Sequence, residues 1–273
     1  MKTNIPARAA RIDWSALARA LLKPLALVLA LVLVVFVVAA PSEKKRSAPA
    51  VPMMNKVLMI GDSLSVAKFG EVMRDFLVST CGTRNVAVFA SCGSSPENWL
   101  RSEPTFFTKC GYREQTPARS VVLDRRLHLA TPKIESLVAT YRPDTVIVQL
   151  GTNWMDRLTT SDTPQKEAEL SDIMDRFIAA ARGPRAVQIL WIMPPDSSHF
   201  SKRVQSTVEN LISAAAQRDR FETIPSRRIT HYVPGKTGRD GVHYNPEASE
   251  EWAKRVIARI KRTLPLSEIY AGR

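Results

Sequence analysis

Five short apolar runs alternate along the chain with longer stretches of helical periodicity, and the punctuation between them is glycine, proline and polar turn residues. Lys56 to Ile60 is apolar after its first residue and stops at Gly61, as expected of a strand buried on both faces. A helix is predicted to follow from about Ser65 to Thr80. Asn85 to Ala90 reads as the second strand, Lys133 to Tyr141 as a helix, and Thr145 to Leu150 as a strand entered through the turn at Pro143 and Asp144. Helical spacing returns from about Gln165 to Ala181 and is stopped by Gly183 and Pro184. The strand Val187 to Met193 is closed by Pro194 and Pro195. Lys202 to Arg220 is a further helix and Glu222 to Ile224 a short strand. Asn245-Pro246 supplies an N-cap and a first-turn proline for a last helix through Arg262.

Strands separated by helices of this length pair in parallel through right-handed crossovers. The pattern therefore predicts a three-layer α/β/α sandwich with a mainly parallel, flavodoxin-like sheet over residues 55–265. Functional side chains in such sheets gather beyond the carboxyl ends of the strands. Arg101 to Pro132 fits neither period and is expected to insert as a long loop with a short helix.

Ahead of this domain the pattern changes. Residues 1–24 are basic, and Leu25 to Ala40 holds no charged or polar side chain. Residues 41–54 are rich in Pro, Ser, Ala and Lys and read as a flexible linker, and 266–273 as a C-terminal tail. The apolar run is a membrane-targeting element, either a signal cleaved near Val38-Ala39-Ala40 or an uncleaved anchor. The long segment before it favours the anchor. A basic flank on its N-terminal side places that end in the cytoplasm and the domain outside, although Lys44, Lys45 and Arg46 weaken the asymmetry. The expected location is a bacterial inner membrane, single-pass with a periplasmic domain, or the periplasm itself if the leader is cleaved.

Charge alters this picture little. Of the formal +13, a surplus of +6 lies before residue 51, and the remaining +7 is scattered. No basic block interleaved with aromatics follows, which argues against nucleic acid as a partner. Three cysteines allow one disulfide in an oxidising compartment, and Cys92 with Cys110 is the expected pair because both lie in loop while Cys81 falls at a helix end. No cysteine or histidine spacing suggests zinc.

A serine hydroxyl becomes a useful nucleophile only beside a base, and the base needs a carboxylate to orient it. Ser63 follows the first strand in Gly61-Asp62-Ser63-Leu64-Ser65. Of His128, His199, His231 and His243, only His243 has a carboxylate three residues ahead, in Asp240-Gly241-Val242-His243. Acyl transfer also requires donors aimed at an oxyanion. Gly93, after the second strand, offers an unobstructed N–H, and Asn153, in Gly151-Thr152-Asn153-Trp154 after the third, offers an amide. Each of these, alone, is equally an ordinary cap or turn.

Taken in order, the four segments resemble the blocks of the SGNH, or GDSL, hydrolases over roughly residues 56–262. The resemblance implies Ser63 as nucleophile, His243 as base and acid, Asp240 as orienting carboxylate, and the Ser63 N–H, Gly93 N–H and Asn153 amide as oxyanion hole. It implies no metal or organic cofactor. Where the family often carries Asp after the Asn, this chain has Trp154, either a wall of the substrate cleft or a packing residue. The expected activity is hydrolysis of carboxylic esters, with O-acetyl groups of a cell-envelope glycan as the leading substrate. An O-acetyltransferase, a lysophospholipase or thioesterase, and a non-catalytic glycan-binding protein are the alternatives.

Overall fold

A computed structural model describes residues 54–123, 128–160, 164–185 and 187–263. They belong to one compact unit, Val51–Arg273. The apolar run 25–40, the basic segment before it, most of the linker and the tail 266–273 lie outside the described residues. Among those described, no helix is long and apolar enough to cross a membrane.

The strands are β1 (Val57–Gly61), β2 (Val86–Ser91), β3 (Tyr112–Gln115), β4 (Ser120–Leu123), β5 (Thr145–Gln149), β6 (Gln188–Ile192) and β7 (Glu222–Ile224). The α-helices are α1 (Ser63–Val66), α2 (Lys68–Cys81), α3 (Ile134–Tyr141), α4 (Thr152–Thr160), α5 (Pro164–Arg182), α6 (Lys202–Asp219) and α7 (Pro246–Thr263). The sheet runs β4-β3-β2-β1-β5-β6-β7; β2, β1, β5, β6 and β7 pair in parallel, and β3 is antiparallel to both β2 and β4. Its parallel part is laid down first to one side of β1 and then to the other. The order therefore reverses between β1 and β5, the position at which a crevice opens beyond the strand ends.

Helices cover both faces because the strands are apolar on both. In β1, Leu58 and Ile60 enter one apolar cluster with α3, α4, α5 and α6, while Val57 and Met59 enter a second with α2 and α7. In the second cluster the Phe69 and Trp252 rings stack with centroids 3.7 Å apart, and the Trp252 indole N–H donates to Ser226 Oγ at 3.1 Å. A buried ring of this size contributes several kcal/mol, on the order of 3–5 if truncated to alanine.

Three features differ from the pattern reading. The helix expected from Ser65 to Thr80 begins earlier and is broken at Ala67, whose ψ of −144° leaves the helical region. Arg101 to Pro132 contains no α-helix among its described residues and instead forms the antiparallel hairpin β3–β4 on the edge of β2. An additional helix, α4, occupies Thr152–Thr160 directly after β5.

Candidate active site

Ser63 opens α1 two residues beyond the end of β1 at Gly61, and its position is fixed by Asp62 between them. The Asp62 carboxylate accepts the Leu64 N–H at 3.0 Å, capping the helix, and the Asp62 N–H donates to the Gln149 carbonyl at 3.1 Å, tying the turn to β5. Burial drives the Asp62 carboxyl up to about 6, against the pull of the Leu64 N–H and of the Thr152 and Gln149 side chains that face it. Its Oδ2, Gln149 Nε2 and Thr152 Oγ1 are buried without hydrogen bonds of good geometry. Ser65 Oγ donates to Gln149 Oε1 at 2.7 Å, so the third residue of α1 is held to β5 as well. Behind it α2 comes so close that a Cβ on Gly70 would lie 1.9 Å from the Ser65 carbonyl oxygen.

The base arrives from the loop between β7 and α7. Asp240 Oδ1 accepts the N–H groups of Val242 at 2.9 Å and His243 at 2.7 Å, which folds the four residues into a turn. Oδ2 then meets His243 Nδ1 at 2.6 Å, and His243 Nε2 lies 2.9 Å from Ser63 Oγ. Partial burial alone would raise the Asp240 carboxyl. The two backbone N–H groups and the imidazole outweigh that and hold it at about 2. The carboxylate therefore stays ionised beside the ring.

The loop is pinned from below. Gly241, at φ +85°, donates its N–H to the Tyr232 hydroxyl at 3.0 Å, and its carbonyl accepts from Ser197 Oγ at 2.6 Å and Ser198 N–H at 3.0 Å. A Cβ there would sit 2.8 Å from the His199 backbone nitrogen, so only glycine permits this approach. Tyr244 OH donates to the Asp196 carbonyl at 2.7 Å. The polar stretch after β6, Asp196 to His199, thus supports the histidine loop, a role that sequence polarity alone did not reveal.

The oxyanion candidates come from β2 and β5. Gly93 sits at φ +83° in the turn after β2, and its N–H has no acceptor among the described residues. Asn153 Nδ2 donates to the Ser94 carbonyl at 2.8 Å, which aims the amide at the Gly93 turn and leaves its second hydrogen free to donate. The disulfide Cys92–Cys110, with Cα atoms 5.3 Å apart, staples that turn to the segment entering β3, and Cys81 is a buried free thiol. Trp154 takes no part in the cleft. It is 0% exposed, packed in the apolar cluster, with its indole N–H on Glu97 Oε2 at 2.9 Å. The α-helical step from Asn153 to Trp154 turns the second residue inward, which corrects the reading of it as a substrate wall.

Between these groups lies a cleft of about 480 Å³ lined by Ser63, Val66, Ala67, Cys92, Cys110, Val122, Leu123, Asp240 and His243. One side carries the reacting groups and the other is aliphatic carbon and disulfide. Among the described residues no group of three or more His, Cys, Asp or Glu side chains is arranged to hold a metal ion. A hydroxyl, an imidazole and a carboxylate in a relay at the edge of the sheet can take an acyl group from an oxygen leaving group and return it to water.

Fold and relay together define a serine hydrolase with its site at the carboxyl edge of a parallel sheet. A family model for GDSL-like lipases and acylhydrolases matches residues 57–256, and the chain belongs to that family. It is a serine ester hydrolase of the SGNH type. No curated protein sequence matches the chain. Among solved structures it is similar to a catalytic mutant of Axe2, an acetylxylan esterase from Geobacillus stearothermophilus, at 13% identity and TM-score 0.52, covering 77% of this chain and 95% of that one. TesA is 16% identical at TM-score 0.51, with 76% and 98% covered. A putative arylesterase from Agrobacterium tumefaciens str. C58 is 16% identical at TM-score 0.50, with 77% and 100% covered. At these identities the likeness is one of fold.

Proposed function

We propose that the chain removes acetyl groups from a carbohydrate ester of the cell envelope through a Ser63 acyl-enzyme. The observation that carries the reading is the continuous relay Asp240–His243–Ser63, with contacts of 2.6 and 2.9 Å, at the mouth of the cleft. His243 takes the Ser63 proton as Oγ attacks the ester carbonyl, and the resulting oxyanion is received by the Gly93 N–H, the Ser63 N–H and the free Asn153 amide hydrogen. Collapse expels the alcohol, which leaves with the proton from His243. Water then enters, gives its proton to His243, and attacks the acyl carbon; collapse releases acetate as the proton passes from His243 to the departing Ser63 Oγ.

An acetyl group suits an aliphatic wall set close to the nucleophile at Val66 and Ala67. The name of one neighbour, acetylxylan esterase, supports the same substrate class by analogy of fold. The apolar run 25–40 supports placement of the domain outside a bacterial inner membrane. Transfer of the acetyl group to a sugar hydroxyl is the second reading. It is disfavoured by the exposure of the relay, 49% for the His243 side chain and 55% for Asp240, which leaves water ready access to the acyl-enzyme.

The test is release of the carboxylic acid by the purified full chain from an aryl acetate, from O-acetylated glycans, from acyl thioesters of different chain length and from lysolipids. We expect acetyl esters to be the best substrates and Ser63→Ala to reduce turnover to background without altering the circular dichroism spectrum. Full activity in Ser63→Ala would remove the mechanism. A preference for long acyl chains would remove the substrate class.

A further inference from the structure

Arg113, on β3, is the one arginine among the described residues with 3% exposure or less, and no carboxylate among those residues comes within ion-pair distance of it. Removing a guanidinium from water costs several kcal/mol unless its donors are met, so its partners indicate what it is kept for. Nε donates to the Val66 carbonyl at 3.0 Å, and Nη2 donates to the same carbonyl at 2.8 Å and to the Ala67 carbonyl at 3.1 Å. Nη1 donates to Gln115 Oε1.

Those two carbonyls end the short helix that Ser63 begins. A four-residue helix leaves all its closing carbonyls without intrahelical partners, and here the chain breaks at Ala67 before α2 starts. A cation placed there meets the carbonyls and opposes the helix dipole. Because α1 is a single turn, any tilt at Val66 is carried directly to Ser63. Val66 and Ala67 also line the cleft beside the nucleophile.

The same hairpin reaches the other half of the site. Gly111, two residues before Arg113, accepts the Cys92 N–H at 3.1 Å, Lys109 N–H donates to the Cys92 carbonyl at 3.1 Å, and Cys110 is bonded to Cys92. Cys92 immediately precedes Gly93. We propose that Arg113 is a positioning residue: its guanidinium, carried on a strand that also holds the Gly93 turn, sets the distance between the Ser63 hydroxyl and the oxyanion donors. The proposal rests on the ester-hydrolase reading of the site.

The test compares Arg113→Lys and Arg113→Gln with wild type, counting competent sites by stoichiometric reaction of Ser63 with a fluorophosphonate and dividing the rate of aryl acetate hydrolysis by that count. Lys keeps the charge but cannot fork across two carbonyls, and Gln keeps one donor pair and loses the charge. Since a misplacement near 1 Å costs on the order of 10²-fold, kcat per titrated serine is expected to fall at least about tenfold in both, with KM changed less than about threefold. A residue that only stabilised the fold would lower the titratable fraction and leave the rate per titrated serine unchanged. A per-site rate within twofold of wild type in both variants overturns the proposal. Wild type that neither labels nor turns over, in parallel with Ser63→Ala, would overturn the hydrolase reading first, so the two failures are separable.

Discussion

Asp240→Asn is expected to be more damaging than Asp240→Ala, and the reason lies in which oxygen does what. Oδ1 accepts two backbone N–H groups, from Val242 and His243. An amide NH₂ cannot stand opposite two donors, so in Asp240→Asn the carbonyl oxygen must keep that position and the NH₂ must face the imidazole. At the 2.6 Å contact it would replace an acceptor by a donor. His243 Nδ1 must then accept, which moves the ring proton to Nε2 and leaves nothing to take the Ser63 proton. Loss of a charge-assisted bond to the imidazolium costs about 1.5–3 kcal/mol, roughly 10- to 10²-fold in rate. The reversed tautomer brings the total to on the order of 10³- to 10⁴-fold. Asp240→Ala escapes the reversed tautomer, because its ring is free to adopt either form, and adds to the first loss only that of the two N–H contacts to Oδ1, about 1 kcal/mol each. Steady-state hydrolysis of an aryl acetate at pH 7 measures both. We expect KM to change little and Asp240→Asn to fold with the wild-type turn intact. Equal kcat in the two variants, or a higher kcat in Asp240→Asn, would refute the reasoning.

Two further outcomes follow from the surroundings of the relay. Asp62, fully buried and raised from 3.8 to about 6, binds its proton more tightly in the folded state. The stability this provides is complete below pH 3.8 and is lost as pH rises through about 6, a change of about 3 kcal/mol across that window. Asp62→Asn keeps the helix cap and should remove this slope, which urea unfolding at pH 4, 5, 6 and 7 will show; an unchanged slope would exclude Asp62 as its source. Reduction of Cys92–Cys110, which closes a loop of 18 residues, should cost about 3 kcal/mol and lower activity by loosening the Gly93 turn. Thermal unfolding and initial rates with and without a thiol reductant check this, and full activity after complete reduction would uncouple the disulfide from the site.

The parallel strands were legible because burial on both faces makes them uninterrupted apolar runs, and the helices because glycine and proline mark their ends. β3, Tyr-Arg-Glu-Gln, was not, since a four-residue strand with one apolar position is too short to display a period of two, and its arginine reads as a solvated residue until the carbonyls it meets are seen. The four chemical segments stood out by residue type and by their places at strand ends. What supports them did not: Ser197 and Gln149 act through contacts between residues 44 and 84 positions apart, Ser197 to Gly241 and Ser65 to Gln149, and Tyr232 reaches Gly241 across a loop. Trp154 was ambiguous for a related reason, because a helix starting at Thr152 decides which way the indole points and the short motif contains no sign of where that helix begins.

The crowding at Gly70 has a practical outcome for anyone mutating this chain at random. Every replacement there puts carbon where the Ser65 carbonyl stands, so the strand-to-helix corner bearing the reactive hydroxyl has to swing aside. Inactive clones will therefore include changes at position 70 that retain all three relay side chains, and a search confined to the cleft lining would overlook their cause.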